Sequence, residues 1–189
     1  QLILRHDVDY SPSPALKIAK IDHNLKIKSH FFFLIKNKYY DIKDRKNYKI
    51  LLKIQKLGHE IGLHFNNSSS LDSRNKKKFK REIKILENIL NKKVNIFSFH
   101  KPGKYKKIPT KNKIFNKINT YGKKYFKDCI YLSDSTGEWR YGNPLKNKKI
   151  VKHKESFQLL MHPIWWHTIK KFKENDTYKI LLKFKKNYE

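Results

Sequence analysis

The chain has 189 residues and carries 45 Lys+Arg against 16 Asp+Glu, a formal net charge of +29. That length suits a single domain over 1–189 that buries roughly 70% of the unfolded chain's surface, so a core forms without covalent staples. A single cysteine, Cys129, excludes an internal disulfide framework and any multi-cysteine metal site.

Leu2 to Val8 reads as a first strand, an apolar run interrupted by Arg5, His6 and Asp7. Ser11-Pro12-Ser13-Pro14 then opens a helix, with Ser13 as cap and Pro14 at the first helical position. Leu16, Ile18 and Ala19 give that helix a buried stripe as far as about His23. His30 to Ile35 is short and aromatic and reads as a buried strand. A helix over 46–57, with Ile50, Leu51, Ile54 and Leu57 at helical spacing, stops at Gly58, and Glu60 to His64 is the next strand. Ser73 to Asn91 is the clearest helix, its stripe formed by Phe79, Ile83, Leu86, Ile89 and Leu90. Val94 to Phe99 is a strand followed by a Lys101-Pro102-Gly103 turn. Ile114, Phe115 and Ile118 suggest a short helix, and Cys129 to Leu132 and Phe157 to Met161 read as two more strands. Thr177 to Asn187 closes the chain as a helix. Strands recurring every 25–35 residues or so, with helices between, imply βα units and a parallel sheet or barrel.

The metal-competent residues fall at the carboxyl ends of the predicted strands: His6-Asp7-Val8-Asp9, His64, His100, Asp134 and His162. In parallel α/β folds that edge is where ligands and catalysis are placed. A strand has period two, so Asp7 and Asp9 share one side and His6 and Val8 the other. Two carboxylates held together repel unless a cation sits beside them, and a divalent metal answers that need. Carboxylate and imidazole ligands favour zinc or a similar first-row ion. Each residue alone has an ordinary reading: a strand-end His as a structural hydrogen-bonder, and Asp7 and Asp9 as helix caps. Five such clusters on one edge favour an active site.

With those residues in view, the sequence resembles the polysaccharide deacetylase family, the NodB-homology or carbohydrate esterase 4 group, in a divergent bacterial branch with an Arg-His-Asp-Val-Asp opening. The resemblance implies an α/β fold, a distorted and incomplete (β/α) barrel of about seven parallel strands. It also implies metal-dependent hydrolysis of acetyl groups on sugars. His6-Asp7-Val8-Asp9 stands where the family has Thr-Phe-Asp-Asp, which implies Asp7 as base and Asp9 as metal ligand. Gly58-His59-Glu60-Ile61-Gly62-Leu63-His64 matches the family's Gly-His-Glu-Ile-Gly-Asn-His and aligns His64 with its first metal histidine. Phe99-His100-Lys101-Pro102 stands where the family has Phe-Arg-x-Pro, whose arginine orients the base. Ser133-Asp134-Ser135 with Trp139-Arg140 resembles the motif that lines the acetyl pocket. Leu159-Leu160-Met161-His162 resembles the closing Leu-x-His, whose His is the general acid, with Asp134 as its partner. Two departures stand out: Ser68 occupies the place of the second metal histidine, and His100 that of the arginine. Together they imply that His100 supplies the third ligand, giving an Asp9, His64, His100 site for a divalent ion, zinc by preference.

Trp139, Trp165 and Trp166, the chain's three tryptophans, offer with Arg140 a sugar-binding platform, with core burial as the competing reading. His6, His23, His30, His59 and His153 are read as structural, and His167 as a surface residue or a substrate contact. The reading is a sugar N-deacetylase in surface-polysaccharide or lipopolysaccharide assembly, acting on an N-acetylated sugar or glycan precursor. An inactive carbohydrate-binding protein on the same fold, and a basic polyanion-binding protein, are the alternatives. Only five basic residues are Arg (Arg5, Arg45, Arg74, Arg81 and Arg140), so the charge argues against specific nucleic-acid recognition, which favours arginine. It suits weak association with an anionic membrane surface. No run of about 18 apolar residues or basic-apolar leader occurs, so a cytoplasmic protein is expected.

Overall fold

The computed structural model describes residues 2–67, 70–104, 107–139, 141–151 and 155–166. The expected closing helix Thr177–Asn187, and Ser68, Arg140, His153 and His167, lie outside the described residues.

The chain alternates β1 (Leu2–Val8), α1 (Pro12–Asn24), β2 (His30–Phe33), α2 (Arg45–Lys56), β3 (Glu60–Phe65), α3 (Ser73–Leu90) and β4 (Ile96–Phe99). Then follow β5 (Lys113–Ile114), β6 (Lys117–Asn119), α4 (Lys123–Phe126), β7 (Ile130–Ser133), α5 (Lys148–Val151) and β8 (Phe157–Met161). The strands form one sheet in the order β5-β6-β4-β3-β2-β1-β8-β7. Every neighbouring pair is parallel except β5 with β6. Seven parallel strands therefore run side by side, and β5 and β7 end the sheet without pairing to each other. This is the expected open α/β barrel.

Parallel strands are buried on both faces and so read as near-continuous apolar runs. Phe31, Phe32 and Phe33 of β2 and Phe97 and Phe99 of β4 are fully buried. The α3 stripe delivers Phe79 edge-on to Phe65 and Phe97, with ring centroids 5.0 and 4.9 Å apart. Gly58, at φ +89°, ends α2 in a conformation that disfavours any side chain. Gly62 is needed for space: a Cβ there would lie 2.5 Å from the Phe32 ring and 2.8 Å from the Ile96 carbonyl oxygen.

Three local expectations differ from the structure. The cap of α1 is Ser11, whose hydroxyl accepts from the Ser13 amide, and Pro12 opens the helix. Residues 113–119 form a two-stranded hairpin instead of a short helix, because Phe115 and Asn116 both take positive φ (49° and 62°) and reverse the chain in two residues. His30 to Ile35 and Val94 to Phe99 pair only over His30–Phe33 and Ile96–Phe99.

The outer face of β1 carries its own polar lock. His6, fully buried, meets Asp22 of α1 through Nε2 at 2.9 Å and stacks on Phe31 with centroids 4.5 Å apart. Ser29 donates to the same Asp22 oxygen at 2.6 Å, and His59 bridges the Ser29 amide to the Ala19 carbonyl. The histidines at 6 and 59 thus tie α1 to the sheet, and His23 and His30 lie against the Leu57 and Leu4 carbonyl oxygens. Replacing Asp22 would leave the buried His6 and Ser29 groups without their acceptor, at about 1–3 kcal/mol for each stranded group. Asp22→Ala is therefore expected to lower the unfolding free energy by at least about 2 kcal/mol in a urea titration. A loss within about 0.5 kcal/mol, the usual range of surface substitutions, would show that the lock carries little.

Candidate active site

The period of β1 places Arg5, Asp7 and Asp9 on the inner face, at the carboxyl end of a strand flanked by β2 and β8. The main chain there is pinned: Tyr40 donates its hydroxyl to the Val8 carbonyl at 2.6 Å, and the Asn37 side chain donates to the Asp9 carbonyl at 2.8 Å. His64 arrives from β3 and His100 from the residue after β4, its amide bonded to the Phe65 carbonyl at 2.9 Å. Asp134 and His162 follow directly after β7 and β8.

Asp9, His64 and His100 converge. Asp9 Oδ1 lies 3.0 Å from His64 Nε2 and 3.3 Å from His100 Nδ1, and the two nitrogens are 3.1 Å apart. Ligand atoms about 2.0–2.1 Å from a tetrahedral zinc stand roughly 3.3 Å from one another, so the spacing is that of ligands around a common ion. Asp9 Oδ1 is buried, and despite the two nearby nitrogens it has no well-directed hydrogen bond among the described residues. His64 Nδ1 is occupied by Ser98 Oγ at 2.8 Å, which fixes the ring and leaves Nε2 facing the cluster. These three residues can hold a divalent metal ion. Burial raises the Asp9 carboxyl, but the His100 and His64 imidazoles beside it outweigh that effect and hold the group well below its usual range. Burial pushes the His100 imidazolium down, against the pull of Asp9.

Asp7 stands beside this cluster, 3.6 Å from His64 Nε2. Arg5 donates Nε to Asp7 Oδ1 at 2.9 Å and Nη2 to Oδ2 at 2.6 Å. Burial alone would raise the Asp7 carboxyl, but the Arg5 guanidinium, with His64 behind it, holds it below its ordinary value. Arg5 was assigned no task from the sequence. The signal was present in the two-residue spacing Arg5, Asp7, Asp9, which puts a cation on the face of both carboxylates.

On the other side, His162 Nδ1 meets Asp134 Oδ1 at 2.7 Å, and the His162 amide donates to both oxygens of that carboxylate at 2.9 and 3.0 Å. His162 Nε2 faces Asp9 Oδ2 at 3.9 Å. Burial works against the imidazolium, yet Asp134, with Asp9 and Asp7 beyond it, lifts its pKa to about 9.

The tryptophans divide. Trp165 lines the cavity over the site, 6.0 Å from the Tyr10 ring. Trp166 is half exposed and donates Nε1 to Asp134 Oδ2 at 2.7 Å, and Trp139 lies 6.1 Å from it, outside the cavity lining. The cavity holds about 410 Å³, and its lining includes the polar Asp7, Asp9, His64 and His162 and the larger apolar or aromatic Tyr121, Tyr131 and Leu160.

No family model matches the sequence, and no curated protein matches it. Solved structures do match. A carbohydrate esterase 4 pseudoenzyme from Bacillus anthracis is 18% identical at a TM-score of 0.57, covering 99% of this chain and 61% of that one. The chitin deacetylase of the fungal pathogen Colletotrichum lindemuthianum is 14% identical at 0.55, over 99% of this chain and 81% of that one. The peptidoglycan deacetylase PdaC of Bacillus subtilis is 16% identical at 0.52, over 99% and 84%. The chain spans less than two thirds of the length of the pseudoenzyme it matches. The fold is therefore the NodB-like deacetylase fold of the carbohydrate esterase 4 group.

The His162–Asp134 pair has a pH signature. A group with pKa about 9 when folded and 6.5 in the unfolded chain stabilises fully below about pH 6.5 and loses that contribution as pH rises through about 9. In metal-free protein, Asp134→Asn is expected to lower Tm by several degrees near pH 6, with the gap to wild type narrowing toward about pH 10. A gap that stays constant or widens across that range would contradict the pairing.

Proposed function

We propose that this chain is a metal-dependent hydrolase of the carbohydrate esterase 4 family that removes N-acetyl groups from a sugar or glycan precursor in bacterial surface-polysaccharide or lipopolysaccharide assembly. The observation that carries the reading is the convergence of Asp9, His64 and His100 between a clamped carboxylate, Asp7, and a carboxylate-paired imidazole, His162. The donor set of one carboxylate and two imidazoles favours zinc. An ion held there would polarise an acetamide carbonyl and lower the pKa of water from 15.7 toward about 7.

The chain's own groups supply the proton transfers. Asp7, kept ionised by Arg5, accepts the proton of the attacking water. His162 carries a proton near neutral pH, and its Nδ1 is tied to Asp134, so Nε2 is the nitrogen that donates to the departing amine. That proton is required because an amide anion is a very poor leaving group. Asp134 orients the acid and keeps it charged, and the Trp166 indole holds Asp134 from its other oxygen. Flat aromatic faces at Tyr10, Tyr131 and Trp165 suit the apolar face of a sugar ring.

The test is acetate release from N-acetylated glucosamine oligomers by the zinc-loaded protein, with and without chelator. Release that the chelator abolishes is expected, and Asp7→Asn and His162→Ala should each cost at least about 10²-fold in kcat. Anomalous scattering at the zinc edge should place one peak among Asp9, His64 and His100. Bound zinc with no acetate release would favour an inactive carbohydrate-binding protein on the same fold.

A further inference from the structure

We propose that Arg5 is the positioning cation of the base: its guanidinium fork fixes the plane of the Asp7 carboxylate beside the metal-competent cluster. The proposal rests on the reading of Asp7 as the base. A carboxylate on a strand has a free rotation about its last bond, and that rotation decides whether an oxygen points at a reacting water. Arg5 removes it with two parallel bonds, Nε to Oδ1 and Nη2 to Oδ2, the bidentate geometry that only a guanidinium offers.

The clamp is itself clamped. Arg5 is 1% exposed. Nη2 also donates to Ser98 Oγ at 2.7 Å and Tyr121 Oη at 3.1 Å, and Nη1 to Gln158 Oε1 at 3.5 Å. The guanidinium carbon lies 4.6 Å from the Tyr121 ring centroid, stacked as cations stack on aromatic faces. These partners come from β4, β8 and the segment after β6, so three parts of the sheet hold one side chain still. Ser98 extends the frame. Its hydroxyl lies 2.8 Å from His64 Nδ1 and donates to Asp7 Oδ2 at 3.3 Å. Base and nearest imidazole thereby share one partner, Ser98.

A merely structural Arg5 would only neutralise buried charge, a task that a lysine ammonium can also perform. A positioning Arg5 needs the fork. The experiment compares wild type, Arg5→Lys and Arg5→Gln, the last in case Arg5→Lys fails to fold. Each is checked for a cooperative melt and titrated with zinc against a chromophoric chelator, then assayed for acetate release. Arg5 touches none of the three clustered atoms, so zinc affinity should stay within about threefold of wild type. KM should change by less than about threefold, and kcat should fall by at least about 10-fold, the scale of a misplaced catalytic group. Free guanidinium ion at sub-denaturing concentration should restore part of the kcat lost in Arg5→Gln, and an equal concentration of sodium chloride should not. Wild-type kcat in folded Arg5→Lys, or a loss that tracks zinc affinity, overturns the inference while leaving the proposed function standing. No turnover by zinc-loaded wild type overturns that function and this inference with it.

Discussion

The buried ion pair between Arg5 and Asp7 constrains everything around it. Both residues lie on a strand with a neighbour on either side, both are shut away from water, and neither charge can be left alone there. Moving two ions into such an interior costs more than a matched pair of apolar side chains would, so the pair adds little net stability. What it supplies is direction. Satisfying the guanidinium requires a hydroxyl from β4, an amide oxygen from β8 and a phenol from the segment after β6, and those requirements tie three parts of the chain to one side chain. The metal-competent cluster is joined to that network through Ser98 and His64.

The same strand faces two ways, and each face is specialised. Inward, Arg5, Asp7 and Asp9 build the site. Outward, His6 meets Asp22 and Val8 enters the hydrophobic core with Phe31 and Phe33. A slip of one residue in register would exchange the two sets, putting Val8 into the cavity and three charged groups against α1. The parallel pairing of β1 to both β2 and β8 over several residues holds that register, and the His6–Asp22 contact fixes it from the helix side. The polar lock on the outside thus helps to place the chemistry on the inside.

Much of this was legible in the sequence, for reasons that can be stated. Period two makes Asp7 and Asp9 neighbours, and the positions of His64, His100, Asp134 and His162 at strand ends follow from apolar runs that stop at a polar residue. Long amphipathic patterns such as Ser73–Leu90 are equally plain, because many residues repeat one message. The hairpin at residues 113–119 was hidden, since its reversal depends on positive φ at Phe115, where a phenylalanine gives no hint of it. Arg5 was half legible: the two-residue spacing put it on the face of Asp7 and Asp9, but the groups that hold it still were hidden. Its partners Ser98, Tyr121 and Gln158 lie 93, 116 and 153 residues away, and no local pattern reveals a contact made across that distance. Trp166 belongs with it: the donation of its indole to the carboxylate paired with His162 spans 32 residues.

The departure at His100 from the resembled family motifs bears on both the cluster and the base. His100 stands where those motifs carry an arginine, and on its own that exchange would add an imidazole to the cluster while leaving Asp7 without its cation. The geometry resolves the deficit inside the chain. His100 Nδ1 joins Asp9 and His64, while the guanidinium reaches Asp7 from two residues earlier on the same strand. A cation delivered in cis has a fixed offset from the carboxylate it holds, because both side chains leave the same face of one strand. A cation delivered from β4 would depend on the registers of β1 with β2, β2 with β3 and β3 with β4. The cis arrangement leaves the two Arg5–Asp7 bonds set within one strand, with β4 adding only the Ser98 hydroxyl, and it frees the end of β4 to present an imidazole.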